Sequence, residues 1–289
     1  MAIALEELEV GLMFWGDTEP LKMIRAVKSL GIRCGHLGFT GAVPLAGLGA
    51  VYKQALADEG FVVTAVFAAY DGESYADAPT VEKTVGFIPA ATRAEREART
   101  YEVIDQTAAM GVPIFACHVG FVPEDHAHPD YAPVRDLVRR ICDHAAKYGI
   151  SFALETGQEP AETLLAFLED VDRPNLKLNF DPANLILYGT SEPIAALELV
   201  GKHVVSVHAK DGNWPDPAKP GTLGTEMPLG SGSVGMANFV NTLKKVGYTG
   251  PLTIEREVSL DQDMDDRHQA KLAHVDDIKA AIELLRSLR

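Results

Sequence analysis

The chain has 289 residues, of which 47% are hydrophobic and 23% charged, and this length suits one α/β barrel of about 250 residues better than two domains. Its formal charge of -15 argues against nucleic acid and anionic membranes as partners, because both repel an acidic surface. We therefore expect one soluble globular domain that spans residues 1–289.

Cysteine usage and the N-terminal segment indicate a compartment. The chain has three cysteines, which are Cys34, Cys117 and Cys142. They form neither an even disulfide set nor a closely spaced metal pair, so reduced thiols are expected. No basic residue precedes Lys22, which argues against a secretory signal. The uncharged run 34–52 is interrupted by five glycines and a proline, which disfavour a membrane span. A cytoplasmic protein is the resulting prediction.

Short apolar runs alternate with longer segments of helical periodicity, which is typical of βα units around a parallel sheet. The eight predicted strands cover residues 9–15, 33–39, 62–70, 114–120, 151–157, 176–184, 204–212 and 251–257. The eight helices that follow them cover residues 20–30, 50–59, 93–110, 134–148, 161–169, 193–200, 236–246 and 264–288. Glycines such as Gly60 and Gly111 mark several helix ends. The pattern predicts a single (β/α)8 TIM barrel.

Two predicted loops are unusually long. Residues 71–92, between the third strand and the third helix, are rich in Asp, Thr and Pro. Loops of this length are usually lids or binding loops, and a mobile excursion without a role is the alternative. Residues 213–235, between the seventh strand and the seventh helix, are rich in Gly and Pro. Their segment 230–235 suggests phosphate binding before a helix, although it lacks the lysine of a Walker motif and the spacing of a dinucleotide fingerprint.

Four consecutive predicted strands end in side chains of the types that can bind a metal ion. They are Glu155, Asp181, His208 and Glu255. Any one of them has a simple alternative explanation, because strand ends are polar in most proteins. Together they supply one ligand from each of four neighbouring βα units, at the end of the barrel where enzymes of this fold keep their sites. Three carboxylates and one imidazole suit Mn²⁺, Mg²⁺ or Co²⁺ better than a structural Zn²⁺. Mn²⁺ is the first expectation and Zn²⁺ an alternative.

The residues around these four positions resemble a known family. The matching segments are Ala153-Leu-Glu155, Asn179-Phe-Asp-Pro-Ala-Asn-Leu185, Val207-His-Ala-Lys-Asp211 and Thr253-Ile-Glu-Arg256. They are similar to signatures of the xylose isomerase-like TIM-barrel superfamily, and more narrowly of its sugar phosphate isomerase/epimerase branch, over essentially the whole chain. The resemblance implies a metal held by the four residues, a small carbohydrate substrate, and a homodimer or homotetramer.

The same resemblance implies a mechanism. Glu155 and Glu255 would act as acid and base on opposite faces of the sugar, in addition to binding the metal. Removing a proton from the carbon beside a carbonyl creates an enediolate, whose charge a metal stabilises. Return of a proton by the second glutamate would invert a stereocentre or move the carbonyl. A sugar, sugar phosphate or keto-sugar isomerase or epimerase is the resulting hypothesis.

Four residues that precede the fifth strand in the sequence are candidates for the substrate site. His118 ends the fourth strand and Glu124 follows shortly after it, where relatives contact substrate. A hydrogen-bonded core histidine is the other interpretation of His118. Trp15 closes the first strand and would pack against the apolar face of a sugar ring. His36, at the end of the second strand, is a weaker candidate.

Three further candidates accompany the metal ligands. Asn184 stands three residues after Asp181, where ketose 3-epimerases carry a histidine, and this departure disfavours a free ketohexose substrate. Lys210 would meet a hydroxyl or an anionic group of the substrate, or form a salt bridge at the rim. Arg256 would touch the ligand only if it does not alternate outward from Glu255.

Three other functions compete with this hypothesis. A lyase or dehydratase acting on a keto-sugar or inosose would begin with the same carbanion and need the same residues. A DNA-repair endonuclease shares the superfamily but needs a basic groove and more histidines, which the acidic composition disfavours. A non-catalytic sugar-binding barrel has no evident reason to keep all four ligands.

Overall fold

The computed structural model describes residues 4–256 and 275–289. Its strands are β1 (Val10–Trp15), β2 (Cys34–Phe39), β3 (Val62–Ala68), β4 (Ile114–Cys117), β5 (Ser151–Glu155), β6 (Leu176–Phe180), β7 (Val204–Ala209), β8 (Asp211–Asn213), β9 (Thr225–Met227) and β10 (Leu252–Ile254). Its helices are α1 (Pro20–Lys28), α2 (Leu48–Glu59), α3 (Ala78–Thr84), α4 (Arg93–Met110), α5 (Tyr131–Ala146), α6 (Ala161–Val171), α7 (Pro182–Tyr188), α8 (Pro193–Val200), α9 (Met236–Lys245) and α10 (Val275–Leu288). A 3₁₀ turn (Gly201–His203) leads into β7.

Eight of the strands close a parallel barrel in the order β1-β10-β7-β6-β5-β4-β3-β2. This confirms the predicted TIM barrel. Two predicted features fall partly outside the described residues: Glu257, at the end of the last predicted strand, and residues 264–274 of the last predicted helix.

The barrel strands are buried on both faces, which explains their continuous apolar sequences. The outer face packs against the helices. In α5, for example, Val134, Leu137, Val138 and Ile141 recur at helical spacing and are fully buried. Inside the barrel, Met13, Trp15 and Phe67 pack against alanines from β3, β4 and β5. Small alanines on these strands leave room for the large rings.

Glycines end helices where the backbone turns left-handed. Gly60 follows α2 with φ of 60°, and Gly111 follows α4 with φ of 79°. A side chain at either position would be strained, which is why glycine is an informative signal there. Both predicted helix ends are confirmed.

The long segment 71–92 is ordered and contains α3, a helix that the sequence analysis did not predict. The buried carboxylate of Glu73 anchors it by accepting hydrogen bonds from the backbone N–H groups of Tyr70 at 3.0 Å and Gly86 at 2.8 Å. Arg96 donates to the carbonyl of Gly86 and lies 4.0 Å from Glu73. The predicted loop is therefore a packed substructure.

The segment 213–235 pairs β8 with β9 as an antiparallel hairpin. It meets the α3 segment, since the Ala78 N–H donates to the Gly221 carbonyl at 3.0 Å. An apolar group, which we call the mouth cluster, joins these loops to neighbouring ones; its members are Tyr75, Val81, Val85, Phe121, Tyr188 and Leu223. The loops at the carboxyl ends of the strands thus form a cover over one end of the barrel. Among the described residues, no helix has the length and apolar character to cross a membrane.

Candidate metal and active site

The four predicted ligands, Glu155, Asp181, His208 and Glu255, which we call the quartet, converge at the carboxyl end of the barrel. Glu155 is the last residue of β5, Asp181 and Glu255 directly follow β6 and β10, and His208 lies near the end of β7. One ligand atom from each residue lies within 4.8 Å of all the others, and all four residues are buried. The convergence arises because parallel strands deliver their last side chains to the same rim.

His208 lies at the centre of this group. Its Nδ1 is 2.7 Å from Glu155 Oε1, 3.3 Å from Glu255 Oε2 and 4.0 Å from Asp181 Oδ2. Burial acts to lower its pKa, but the carboxylates of Glu255 and Glu155 outweigh burial and raise the pKa of His208 to about 10. A protonated imidazole therefore balances part of the negative charge of these carboxylates.

Asp181 offers the clearest test of whether a metal fits. Its Oδ1 caps α7 by accepting hydrogen bonds from the N–H groups of Ala183 at 2.8 Å and Asn184 at 3.0 Å. Its Oδ2 is buried and accepts no hydrogen bond. Desolvation raises the pKa of Asp181 to about 8. A buried oxygen without a partner, surrounded by two more carboxylates and an imidazole, fits a divalent cation.

The two glutamates differ from the other two ligands in their access to the mouth of the barrel. Asp181 and His208 are fully buried, whereas Glu155 and Glu255 are 5% and 8% exposed. Each glutamate also has a basic neighbour: Glu155 Oε2 lies 3.2 Å from His118 Nε2. Glu255 Oε2 lies 3.1 Å from Lys210 Nζ. The glutamates are thus the slightly more accessible pair of the four, and each lies beside a basic side chain.

His118 connects the quartet to a residue that the sequence analysis missed. The Nδ1 of His118 lies 3.2 Å from the side-chain oxygen of Gln158, whose amide nitrogen is 3.3 Å from the hydroxyl of Tyr188. Tyr188 belongs to the mouth cluster. The position of Gln158 could have identified it from the sequence, because it lies three residues after Glu155, in the turn that follows the fifth strand.

Of the remaining candidates, Asn184 and Lys210 are placed beside the quartet. Lys210 Nζ lies 3.4 Å from Asn184 Oδ1 and 4.0 Å from Asp181 Oδ2, and the Lys210 side chain is almost entirely buried. Trp15 lies in the apolar cluster inside the barrel and is 8% exposed. Asn184 and Lys210 therefore lie beside the predicted metal ligands, and Trp15 is placed among apolar side chains.

Arg256 and Glu124 are placed differently. Arg256 forms ion pairs of 2.6 Å with Glu226 and 3.1 Å with Asp277, and so joins β9 to α10. Glu124 is exposed in the loop between β4 and α5, and within the described residues no hydrogen bond or ion pair links it to the quartet. The structure therefore does not bring these two residues to the metal ligands.

The glycine-rich segment 230–235 is organised around Asp211. Asp211 Oδ2 accepts hydrogen bonds from the N–H groups of Gly230 and Gly232, both at 2.9 Å. Its Oδ1 accepts one from the N–H of Val234 at 3.1 Å. A built-in carboxylate thus already binds the amides that a phosphate would need, which argues against the phosphate interpretation of this segment.

His36 is a further buried group at this end of the barrel. Its Nδ1 is 3.1 Å from His208 Nε2, and its Nε2 is 3.1 Å from the hydroxyl oxygen of Thr253. Burial, together with the neighbouring His208, lowers the pKa of His36 well below its usual range. It is therefore a neutral imidazole behind the ligand histidine.

Comparison with known proteins places this geometry in a family context. The profile of the family described as xylose isomerase-like TIM barrel matches residues 24–288. A crystal structure of a xylose isomerase domain protein from Planctomyces limnophilus is 38% identical, with a TM-score of 0.88 and coverage of 98% of both chains. The structure of a D-allulose 3-epimerase from Methylomonas sp. in complex with D-allulose shares the fold, with a TM-score of 0.69, 18% identity, and coverage of 99% of this chain and 98% of that one.

Curated relatives match over shorter segments. An L-ribulose 3-epimerase from Methylomonas sp. (strain DH-1) is 28% identical over 151 residues, which are 49% of this chain and 48% of that protein. An L-ribulose-5-phosphate 3-epimerase from Salmonella typhi is 29% identical over 125 residues, or 42% of this chain and 41% of that protein. The chain thus matches about half the length, or less, of these two relatives.

Proposed function

The chain belongs to the xylose isomerase-like TIM-barrel family, and from this premise we propose that it is a divalent-metal-dependent sugar isomerase or epimerase. The observation that carries the proposal is the convergence of four buried side chains, two glutamates, one aspartate and one histidine, at the carboxyl end of the barrel. The epimerase names of several relatives support it.

In this proposal Glu155, Asp181, His208 and Glu255 hold the metal. Mn²⁺ is the first choice, with Mg²⁺, Co²⁺ and Zn²⁺ as alternatives, because the ligands are mostly oxygen. When bound, the metal supplies Lewis-acid stabilisation of the negative charge that develops on the substrate oxygens. The Oδ2 of Asp181, which is buried and accepts no hydrogen bond, supports this assignment.

Proton transfer is assigned to Glu155 and Glu255. Their strands β5 and β10 are separated in the barrel by β6 and β7, so the two carboxylates reach the site from different sides. One would remove a proton from the carbon beside the carbonyl, and the other would return a proton to the opposite face. The neighbouring His118 and Lys210 orient the two carboxylates and stabilise their charge.

The substrate would lie on the mouth side of the metal. We assign hydroxyl contacts to His118 and Lys210, which lie beside Glu155 and Glu255, and to Asn184, whose amide oxygen is 3.4 Å from Lys210 Nζ. We assign an apolar contact to the Trp15 ring. Arg256 is assigned a positioning role, because its ion pairs fasten β9 to α10.

The proposed partner of the protein is a small carbohydrate rather than a macromolecule.

The first experiment replaces each glutamate by glutamine. In D₂O with Mn²⁺ and a panel of ketoses, the wild-type enzyme should exchange the proton on the carbon beside the carbonyl. E155Q and E255Q should lower that exchange by about 10²–10⁴-fold, the usual contribution of a general acid or base. The measurement is deuterium incorporation into substrate by NMR. Undiminished exchange in both variants would rule the mechanism out.

The matched control is E162Q, which changes an exposed glutamate in the first turn of α6 and should exchange at the wild-type rate. Product mass separates the proposed outcome from a lyase. Isomerisation and epimerisation conserve mass, whereas dehydration removes one water. Free and phosphorylated ketoses belong in the same screen, because relatives of both kinds are known by name.

A further inference from the structure

We propose that His36 is a positioning residue that accepts the Nε2 proton of His208, so that Nδ1, which faces the carboxylates, is the nitrogen that gives up its proton to bind a metal. The inference rests on the proposed metal site. It starts from a chain of two hydrogen bonds between buried groups: His208 Nε2 to His36 Nδ1, and His36 Nε2 to Thr253 Oγ1, both at 3.1 Å. His36 is 1% exposed, so water does not compete for either bond.

The proton on His208 Nε2 determines the direction of both hydrogen bonds in this series. His208 Nδ1 faces the three carboxylates, so metal binding requires a lone pair on that nitrogen. The proton of a neutral His208 must then be on Nε2, from which it is donated to His36 Nδ1. His36 must in turn carry its own proton on Nε2 and donate it to Thr253 Oγ1. With a metal on His208 Nδ1, this is the arrangement in which each N–H has an acceptor and each acceptor nitrogen has a donor.

Packing holds the two imidazoles in register. The Phe67 ring stacks on His36 with centroids 5.3 Å apart and an interplanar angle of 24°. The same ring stacks on His208 at 4.7 Å and 26°. Thr253 pairs with His208 between neighbouring strands. The pair is thus fixed by one aromatic ring and by the barrel itself.

His36 is not itself a metal ligand in this arrangement, because both of its ring nitrogens are used in hydrogen bonds to protein groups. Its role matches the general behaviour of ligand histidines, whose second nitrogen usually donates to a fixed acceptor. What is particular to this chain is that the acceptor is another histidine from β2, held by a threonine from β10.

The test compares two variants of His36 by Mn²⁺ binding in the absence of sugar. H36L removes the acceptor and should weaken Mn²⁺ binding by about 10–100-fold in isothermal titration calorimetry, the usual cost of losing such a partner. H36N keeps an acceptor oxygen near the position of Nδ1 and should bind Mn²⁺ nearly as tightly as wild type. H144L, which changes a histidine on the outer helix α5, is the control and should not alter binding.

Wild-type affinity in H36L would overturn the proposal. Equal losses of Mn²⁺ affinity in H36L and H36N would overturn it as well, because that result would mean that only the packing of the His36 ring matters.

T253V provides a second variant with little change in volume. In the Mg²⁺-loaded protein, long-range ¹H–¹⁵N NMR should show both His36 and His208 protonated on Nε2. T253V should alter the His36 signature, and the opposite tautomer of His208 in wild type would refute the inference.

These readouts are independent of turnover. A wild-type chain that binds Mn²⁺ but isomerises no sugar would contradict the proposed function and leave the role of His36 supported by the binding data. A wild-type chain that binds no divalent ion would overturn both.

Discussion

Asp181 illustrates how one side chain connects sequence, local structure and chemistry. The dipeptide Asp181-Pro182 starts α7, because proline suits the first helical turn and aspartate suits the N-cap. Capping uses Oδ1 and so fixes the direction of Oδ2, which faces the other ligands. A residue that a helix already holds in place needs no further support to serve as a ligand.

Glu159 carries a prediction about pH. It is 1% exposed and neither carboxyl oxygen accepts a well-formed hydrogen bond, so burial raises its pKa to about 8. In the unfolded chain the group ionises near its ordinary value of about 4.3. Between these two pH values only the folded chain keeps the proton, so wild-type stability falls as pH rises through this window. E159Q, whose amide cannot ionise, should lack this loss.

Urea denaturation at pH 5 and pH 8 measures the effect. The unfolding free energy of E159Q relative to wild type should increase by about 1–4 kcal/mol over this interval, since each unit of pKa shift corresponds to about 1.4 kcal/mol. E162Q, at an exposed position three residues away, should show no such trend. A constant difference between E159Q and wild type would contradict the buried, protonated state.

At the scale of elements, the strands and helices that could be predicted are those whose signals lie in neighbouring residues of the sequence. The strand ends that carry Glu155 and His208 were readable, because an apolar run followed by a polar residue is a local signal. The helix α3 and the hairpin of β8 and β9 were not, since a contact distant in sequence, the hydrogen bond from the Ala78 N–H to the Gly221 carbonyl, joins the segments that contain them. The contacts of Arg256 likewise depend on α10, far along the chain.

The glycine-rich segment shows the same limit. Its composition suggested an anion site, and the structure supplies an anion from the protein, the carboxylate of Asp211. Gly232 is required there, because a Cβ at this position would lie 2.3 Å from Asp211 Oδ1. No sequence pattern within 230–235 identifies a partner that lies about twenty residues earlier.

This assignment makes a prediction for D211N. The amide nitrogen of asparagine would face backbone N–H groups whose hydrogen bonds a carboxylate oxygen now accepts. This would leave partly buried donors without an acceptor, at a cost of about 1 kcal/mol or more. Urea denaturation should show this loss, and amide hydrogen exchange should accelerate at residues 230–234. D216N, at an exposed position in the same long segment, is the control. Unchanged exchange in D211N would show that the carboxylate does not hold the segment.

At the scale of the whole molecule, the site exists only when the barrel is closed. Its ligands come from β5, β6, β7 and β10, and residues more than fifty positions apart in sequence form its shortest contact, Glu155 to His208. The mouth cluster covers the same end of the barrel and reaches the quartet through Tyr188, Gln158 and His118. If the quartet binds a metal as proposed, folding and metal binding are linked equilibria.

This linkage predicts opposite effects of D181N on the metal-free and metal-loaded protein. Three buried carboxylates destabilise the metal-free barrel, and the burial of Asp181 without a partner for Oδ2 is part of that cost. Asparagine keeps an oxygen for capping α7 and removes the ionisable group. Metal-free D181N should therefore unfold at a temperature equal to or above that of wild type.

Bound metal should make wild type more stable than D181N. At a Mn²⁺ concentration of about 100 times Kd, wild type should gain about 2.7 kcal/mol of stability, because only the folded chain holds the ion. D181N should gain far less, since it has lost an anionic ligand. D77N, which alters another helix-capping aspartate outside the quartet, should retain the full gain. Thermal unfolding with EDTA and with Mn²⁺ measures both effects, and an undiminished metal shift in D181N would remove Asp181 from the ligand set.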